Sequence, residues 1–128
     1  FLQKIELKKF PEIFFYGFID KLEILFNRSI AIIFPGSIPV GNRCRLITCM
    51  ASGLPIIADI SCKNGNPFLI DKETAFLANT PEEFVKKMIL CSENNILRAK
   101  IIKNAKIIYK EKHFPESAGK IFEKFINK

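Results

Sequence analysis

The chain has 128 residues, of which 48% are apolar, and a formal net charge of +7. That length is one domain by size and can bury a core without disulfide or metal staples, and the apolar content excludes a disordered polyelectrolyte. No apolar run reaches the roughly 18 residues of a membrane span and no signal-peptide pattern is present, while the positive charge favours phosphates, nucleic acid or an anionic surface over cationic ligands.

In chain order, residues 1–10 read as a helix end stopped by Pro11. IFFYGFI (Ile13–Ile19) is apolar almost throughout, the pattern of a strand buried on both faces. Asp20 and Glu23 have capping-box spacing for a short helix with Leu22, Leu25 and Phe26 inward. AIIFP (Ala31–Pro35) reads as a second strand. Residues 42–52 read as a helix ended by Gly53 in the left-handed conformation, followed by a third strand in PIIAD (Pro55–Asp59) and a fourth in AFLA (Ala75–Ala78). Strands alternating with short helical crossings predict βαβ units in a parallel sheet, with the first three strands adjacent or nearly so. Thr80, Pro81 and Glu83 supply N-cap, N1 and N3 of a helix expected to turn Phe84, Val85, Met88 and Ile89 inward. Ser92 is expected to cap a longer helix through about Lys112, and Pro115 to open the last. The expectation is one domain over 1–128, with an α/β part over about 11–79 and an all-helical segment over about 80–128. Thirteen Phe and no Trp suggest an aromatic-rich core.

Cys44, Cys49, Cys62 and Cys91 form no CxxC pair, and His113 is the only histidine. These thiols are expected to be buried and free in a reducing compartment, with no metal site; the spacing of Cys44 and Cys49 falls on a predicted helix and lacks further ligands. His113, without a partner, is expected in an exposed helix or loop and is a poor catalyst candidate.

The stretch GNRCRLITCMASGLPII (Gly41–Ile57) combines charge with small residues. In a parallel sheet, ligands sit beyond the C-terminal strand ends, where the loop after AIIFP falls. The next helix would aim free N–H groups at that crevice. Gly36 and Gly41 would let backbone come close, and Arg43 and Arg45 could contact phosphate oxygens. The same residues also fit a solvated first turn. Two apart, the arginines do not share a helix face, and there is no Walker loop or GxGxxG.

TCMASGLPIIAD (Thr48–Asp59) resembles the E-A-M-A-x-G-x-P-V-V segment of the group 1 nucleotide-sugar glycosyltransferases built from two Rossmann-like domains, the GT-B architecture. YGFID (Tyr16–Asp20), AIIFPGS (Ala31–Ser37), the lead-in Gly41, Arg43 and Arg45, NPFLIDKETAFLANTPEEF (Asn66–Phe84) and KHFPESAGKIFEKF (Lys112–Phe125) resemble further family segments in the same order, over nearly the whole chain. The resemblance implies a Rossmann-like parallel sheet flanked by helices, the C-terminal half of a donor-binding domain. It implies binding of a nucleotide-diphosphate-sugar donor for transfer to a glycan or lipid-linked acceptor, as in cell-surface polysaccharide biosynthesis. Arg43, Arg45 and Gly41 would hold the donor phosphates, and Gly17, Phe18 and Thr48 the nucleoside. No metal or other cofactor is expected, and no catalytic residue is assigned. Because the chain starts at Phe1, the family's acceptor domain and first phosphate-binding residues are expected upstream, and this chain alone is expected to be inactive.

Two departures stand out. The family's ribose-binding glutamate falls at Thr48, and the glutamate that contacts the sugar falls at Val40. A catalytically inactive binding or scaffold domain is therefore one alternative. Another follows from Lys100, Lys103, Lys106 and Lys110, on one helix face opposite Leu97, Ile101, Ala105 and Ile108. A solvated face is the plain reading. The functional one is weak peripheral contact with an anionic membrane, at about 1 kcal/mol per Lys. Nucleic acid fits less well, since the Phe residues are expected in cores rather than interleaved with the basic face. The expected location is cytoplasmic, including the inner face of the membrane.

Overall fold

The computed structural model describes residues 10–14, 16–36 and 44–126. The elements are α1 (Leu22–Phe26), β1 (Ile32–Phe34), α2 (Cys44–Ser52), β2 (Ile56–Asp59), a 3-10 turn (Ile60–Lys63), β3 (Phe76–Ala78), α3 (Pro81–Glu93), α4 (Asn95–Ile108), a π-helical turn (Tyr109–His113) and α5 (Pro115–Ile126). The architecture is α/β. The strands form one parallel sheet in the order β1-β2-β3, with Ile33 opposite Ile57 and Ala58 opposite Leu77.

Successive side chains of a strand point to opposite faces, so a strand covered on both sides reads as an unbroken apolar run. Ile56 and Ala58 join Leu46, Cys49 and Met50 of α2 in one core, whereas Ile57 joins Phe76, Cys91 and Ile101 in a second. The loop into β3 is fastened by side chains. Buried Thr74 donates to the carbonyl of Phe68 at 2.6 Å and accepts from the Ile70 N–H at 2.8 Å. Asp71 Oδ1 accepts from the Leu77 N–H at 2.8 Å.

Several expectations need correction. Among the described residues, Ile13–Ile19 forms no strand: Gly17 has φ +67°, which takes the chain out of the extended conformation, and Ile13, Phe14, Tyr16 and Phe18 are exposed. The N-cap of α1 is Lys21, one residue later than expected. Asp20 and Glu23 therefore form no capping box, and Leu22 is exposed. On α3 the buried side is Cys91 with Phe84 and Leu90 packed beside it; Val85, Met88 and Ile89 are exposed, because α3 packs mainly over β2 and β3. Ser92 caps nothing new; its hydroxyl donates to Ile89 at 2.8 Å within α3. Asn94 caps α4 instead, its Oδ1 accepting from the Leu97 N–H at 2.9 Å. Arg98 closes the end of α3 by donating to the carbonyls of Cys91 and Ser92 at 2.8 and 3.2 Å. The aromatic core is smaller than composition suggests. Phe68 and Phe76 are buried, but Phe10, Phe14, Phe18 and Phe122 are exposed.

Other local signals hold. Thr80 caps α3 by accepting from the Glu83 N–H at 3.2 Å, with Pro81 in the first turn. Glu83 reaches back to the Asn79 N–H at 2.7 Å, one residue beyond the usual capping-box partner. Gly53 follows α2 with φ +79°, and a Cβ built there would meet Lys106 Cε at 2.6 Å and Nζ at 2.7 Å. Lys106 thus lies across the C-terminal end of α2, where its charge complements the helix dipole, rather than standing in a purely solvated stripe. Gly53→Val is expected to lower stability by about 1–2 kcal/mol through backbone strain. Lys72, the non-glycine residue at φ +59°, gives the opposite sign: Lys72→Gly is expected to be neutral to stabilising by up to about 1 kcal/mol. Urea denaturation of the two variants checks both; unchanged stability in Gly53→Val would show that α2 does not end there.

Candidate functional site

A cavity of about 490 Å³ opens beside β1, between α2 and the segment leading into α1. Its floor is Ile32, Ile33 and Phe34 of β1. Its walls are Phe18, Ile19, Leu22 and Phe26 on one side and Arg45, Thr48 and Cys49 of α2 on the other. The positions exist because α2 buries Leu46, Cys49 and Met50 on the sheet, which leaves Arg45 and Thr48 on the solvent-facing flank. Gly17 supplies the tight bend that brings Phe18 to the rim, where Phe18 is 91% exposed.

Of the six site residues expected from sequence, Gly17, Phe18, Arg45 and Thr48 line this one cavity. Gly41 and Arg43, together with Val40, lie outside the described residues. Among the described residues no carboxylate lies within ion-pair distance of Arg45. The Thr48 hydroxyl donates to the Cys44 carbonyl at 3.3 Å, which leaves its oxygen able to accept. Burial pushes the Cys49 thiol up to about 11, so it lines the cavity as a neutral, inert side chain. Among the described residues, the cavity is an apolar cleft with one hydroxyl and one cation that has no ion-pair partner, a combination suited to a flat or apolar body carrying an anionic group.

Two helix starts meet the C-terminal side of the sheet, and they differ in charge. The first turn of α3 holds Glu82 and Glu83 and is capped by Thr80. The backbone N–H of Glu82, and then the Thr80 hydroxyl, hold the Glu82 carboxyl below its usual value. That end carries its own anions. The first turn of α2 has no acidic residue. Among the described residues, the start of α2 thus carries no anion of its own, where a helix dipole favours one.

The remaining candidates fall away as catalysts. His113 is half-buried rather than exposed, its ring 5.0 Å edge-on from Phe68, with Nε2 buried and lacking a hydrogen-bond partner among the described residues. Its place in the packing makes it structural. Cys44 is exposed, contrary to expectation, because it is the first residue of α2 and the packed face begins at Leu46; Cys49, Cys62 and Cys91 are buried and no disulfide joins the four. Among the described residues, no cluster of three or more His, Cys, Asp or Glu could hold a metal, and no helix is long and apolar enough to cross a membrane. Sequence reasoning does not find the cavity-lining residues Leu22, Phe26 and Phe34. In sequence they have the pattern of core or strand positions, and nothing local shows that α1 leaves a gap over β1. Comparison with known proteins finds no matching family model, no matching curated protein and no matching solved structure.

The thiols offer a direct check of this geometry. At about pH 8, iodoacetamide is expected to label Cys44 in a fast phase and the buried Cys49, Cys62 and Cys91 only slowly. A fast phase that survives in Cys44→Ser would mean that α2 does not pack on the sheet as described.

Proposed function

We propose that this chain binds a nucleoside diphosphate at the α2–β1 cavity and serves as the donor-binding part of a nucleotide-sugar glycosyltransferase with Rossmann-like domains. The carrying observation is convergence. Gly17 and Phe18 come from one sequence segment and Arg45 and Thr48 from another, the family resemblance makes each a donor-site candidate, and they line one cavity. In this reading the base lies along Gly17 and Phe18 and the Thr48 hydroxyl takes a ribose hydroxyl. Arg45 contacts the phosphates, joined by Gly41 and Arg43. The acid-free first turn of α2 supports the phosphate assignment. The parallel sheet is compatible with the fold this reading requires, but sheets of this kind serve many functions, so the weight rests on the site.

Calorimetry with UDP, GDP and ADP and with the bare nucleosides tests the proposal. At least one diphosphate is expected to bind. Arg45→Ala should weaken it by about 1–3 kcal/mol, the range for charge-assisted hydrogen bonds, and leave the nucleoside nearly unchanged. Arg45→Lys should restore part of the loss. If none of the diphosphates binds the folded chain, the donor-site reading is wrong. Equal losses for nucleoside and diphosphate would remove the phosphate role from Arg45.

A further inference from the structure

We infer that α5 docks this chain onto an anionic lipid bilayer, with its apolar side against the surface and the lysines of α4 and the π-helical turn supplying the attraction to the headgroups. The docking helix shares no lining residue with the α2–β1 cavity, so the inference stands apart from the donor-site reading.

Helix α5 is built unlike the two before it. Each of those buries residues in a core, Cys91 on α3 and Ile101 with Ala105 on α4. On α5 the half-buried residue among those described is Ser117, whose hydroxyl donates to the Lys110 carbonyl at 2.7 Å; Ile121, Phe122 and Ile126 are 46%, 65% and 65% exposed. At about 100° per residue these three share one side with Ala118, while Glu116, Lys120, Glu123 and Lys124 occupy the other. A 12-residue helix is marginal in water unless it packs its apolar side against something. A strongly apolar side, a lysine-bearing polar side and modest overall hydrophobicity characterise a helix that lies in a bilayer interface.

Charge selects the occupant. From Arg98 to Lys128 the sequence carries nine Lys and Arg against three Glu, which accounts for six of the chain's seven net positive charges. Lys100, Lys103, Lys110, Lys112, Lys120 and Lys124 are all exposed. Each lysine near an anionic bilayer strengthens attachment about fivefold. A nucleic acid would satisfy the charge but not cover Ile121, Phe122 and Ile126. A second copy of the chain would cover the apolar side but bring like charge against it. An anionic bilayer answers both features.

The test is sedimentation of the whole chain with vesicles of phosphatidylcholine, alone or with about 30 mol% phosphatidylserine. Binding is expected to the mixed vesicles, about tenfold or more weaker to phosphatidylcholine alone, and falling as salt rises from about 50 to about 300 mM. Phe122→Ser combined with Ile126→Ser is expected to weaken binding about tenfold or more, and Lys100→Gln combined with Lys103→Gln and Lys110→Gln by a similar factor. Because the chain has no Trp, Phe122→Trp supplies a single reporter whose emission is expected to shift to the blue on mixed vesicles only. Absence of binding to the mixed vesicles overturns the inference, whether the chain then dimerises through α5 or binds duplex DNA instead. Binding that survives the paired serine variant, with no blue shift in Phe122→Trp, overturns the role of α5. Equal binding to the two vesicle types overturns the choice of an anionic surface. Any of these outcomes leaves the donor-site reading standing.

Discussion

Strand β2 has no solvent side, and the rest of the architecture follows from that constraint. Ile56, Ile57 and Ala58 are almost wholly buried, with alternate residues in two separate cores. Burying each isoleucine contributes about 1.5–3 kcal/mol, provided that both faces are covered and both edges paired. The edges are met by β1 and β3 in parallel. The faces are met by α2 on one side and α3 with α4 on the other, while Ala105 of α4 reaches round to the α2 core. Because the strands are parallel, α2 and α3 each start on the side where a strand has ended. The crevice at the strand ends is a by-product of covering β2.

Burial thins across the sheet toward β1. Ile33 is 42% exposed, where its neighbour Ile57 is 1% exposed. On one face this leaves a groove among Ile30, Ile33, Met88 and Ile89. On the other it leaves the cavity beneath Phe18, Leu22 and Phe26. The five-residue α1 has no buried residue and no side-chain cap, so it roofs the cavity without filling it. The site thus lies where the packing of β2 no longer dictates every side chain.

Features set by a few neighbouring residues were legible in sequence. Gly53 ends α2, Thr80 and Pro81 start α3, Pro115 starts α5, and the runs at 31–35, 55–59 and 75–78 contain the three strands. Features that depend on which element covers which were not. IFFYGFI has the composition of a buried strand, yet composition cannot say whether a neighbouring strand exists to pair with it, and Gly17 bends the segment away. The inward side of α3 is ambiguous in sequence because an all-apolar flank offers two adjacent stripes, and only the position of the helix over β2 and β3 selects between them. For the site, residue chemistry points to Arg43, Arg45 and the glycines, and family resemblance adds Gly17, Phe18 and Thr48. The cavity that joins four of these depends on a gap between α1 and β1 that no local pattern encodes.

The charges on α2 give the site its physical logic. A helix is helped by anions at its start and cations at its end, each by about 0.3–1 kcal/mol. At its end α2 follows the rule, with Lys106 lying over Gly53. At its start it breaks the rule: the first turn holds Arg45 and no acid, and among the described residues nothing neutralises that charge. The contrast with α3, whose start carries Glu82, Glu83 and a threonine cap, shows that the chain places anions at a helix start elsewhere. Local rules broken without compensation within the fold concentrate at functional sites. Here the break has a definite sign: in the proposed reading an external anion at Arg45 would relieve the repulsion with the helix dipole, and from Ile24 to Ala58 the sequence holds no Asp or Glu that could do so.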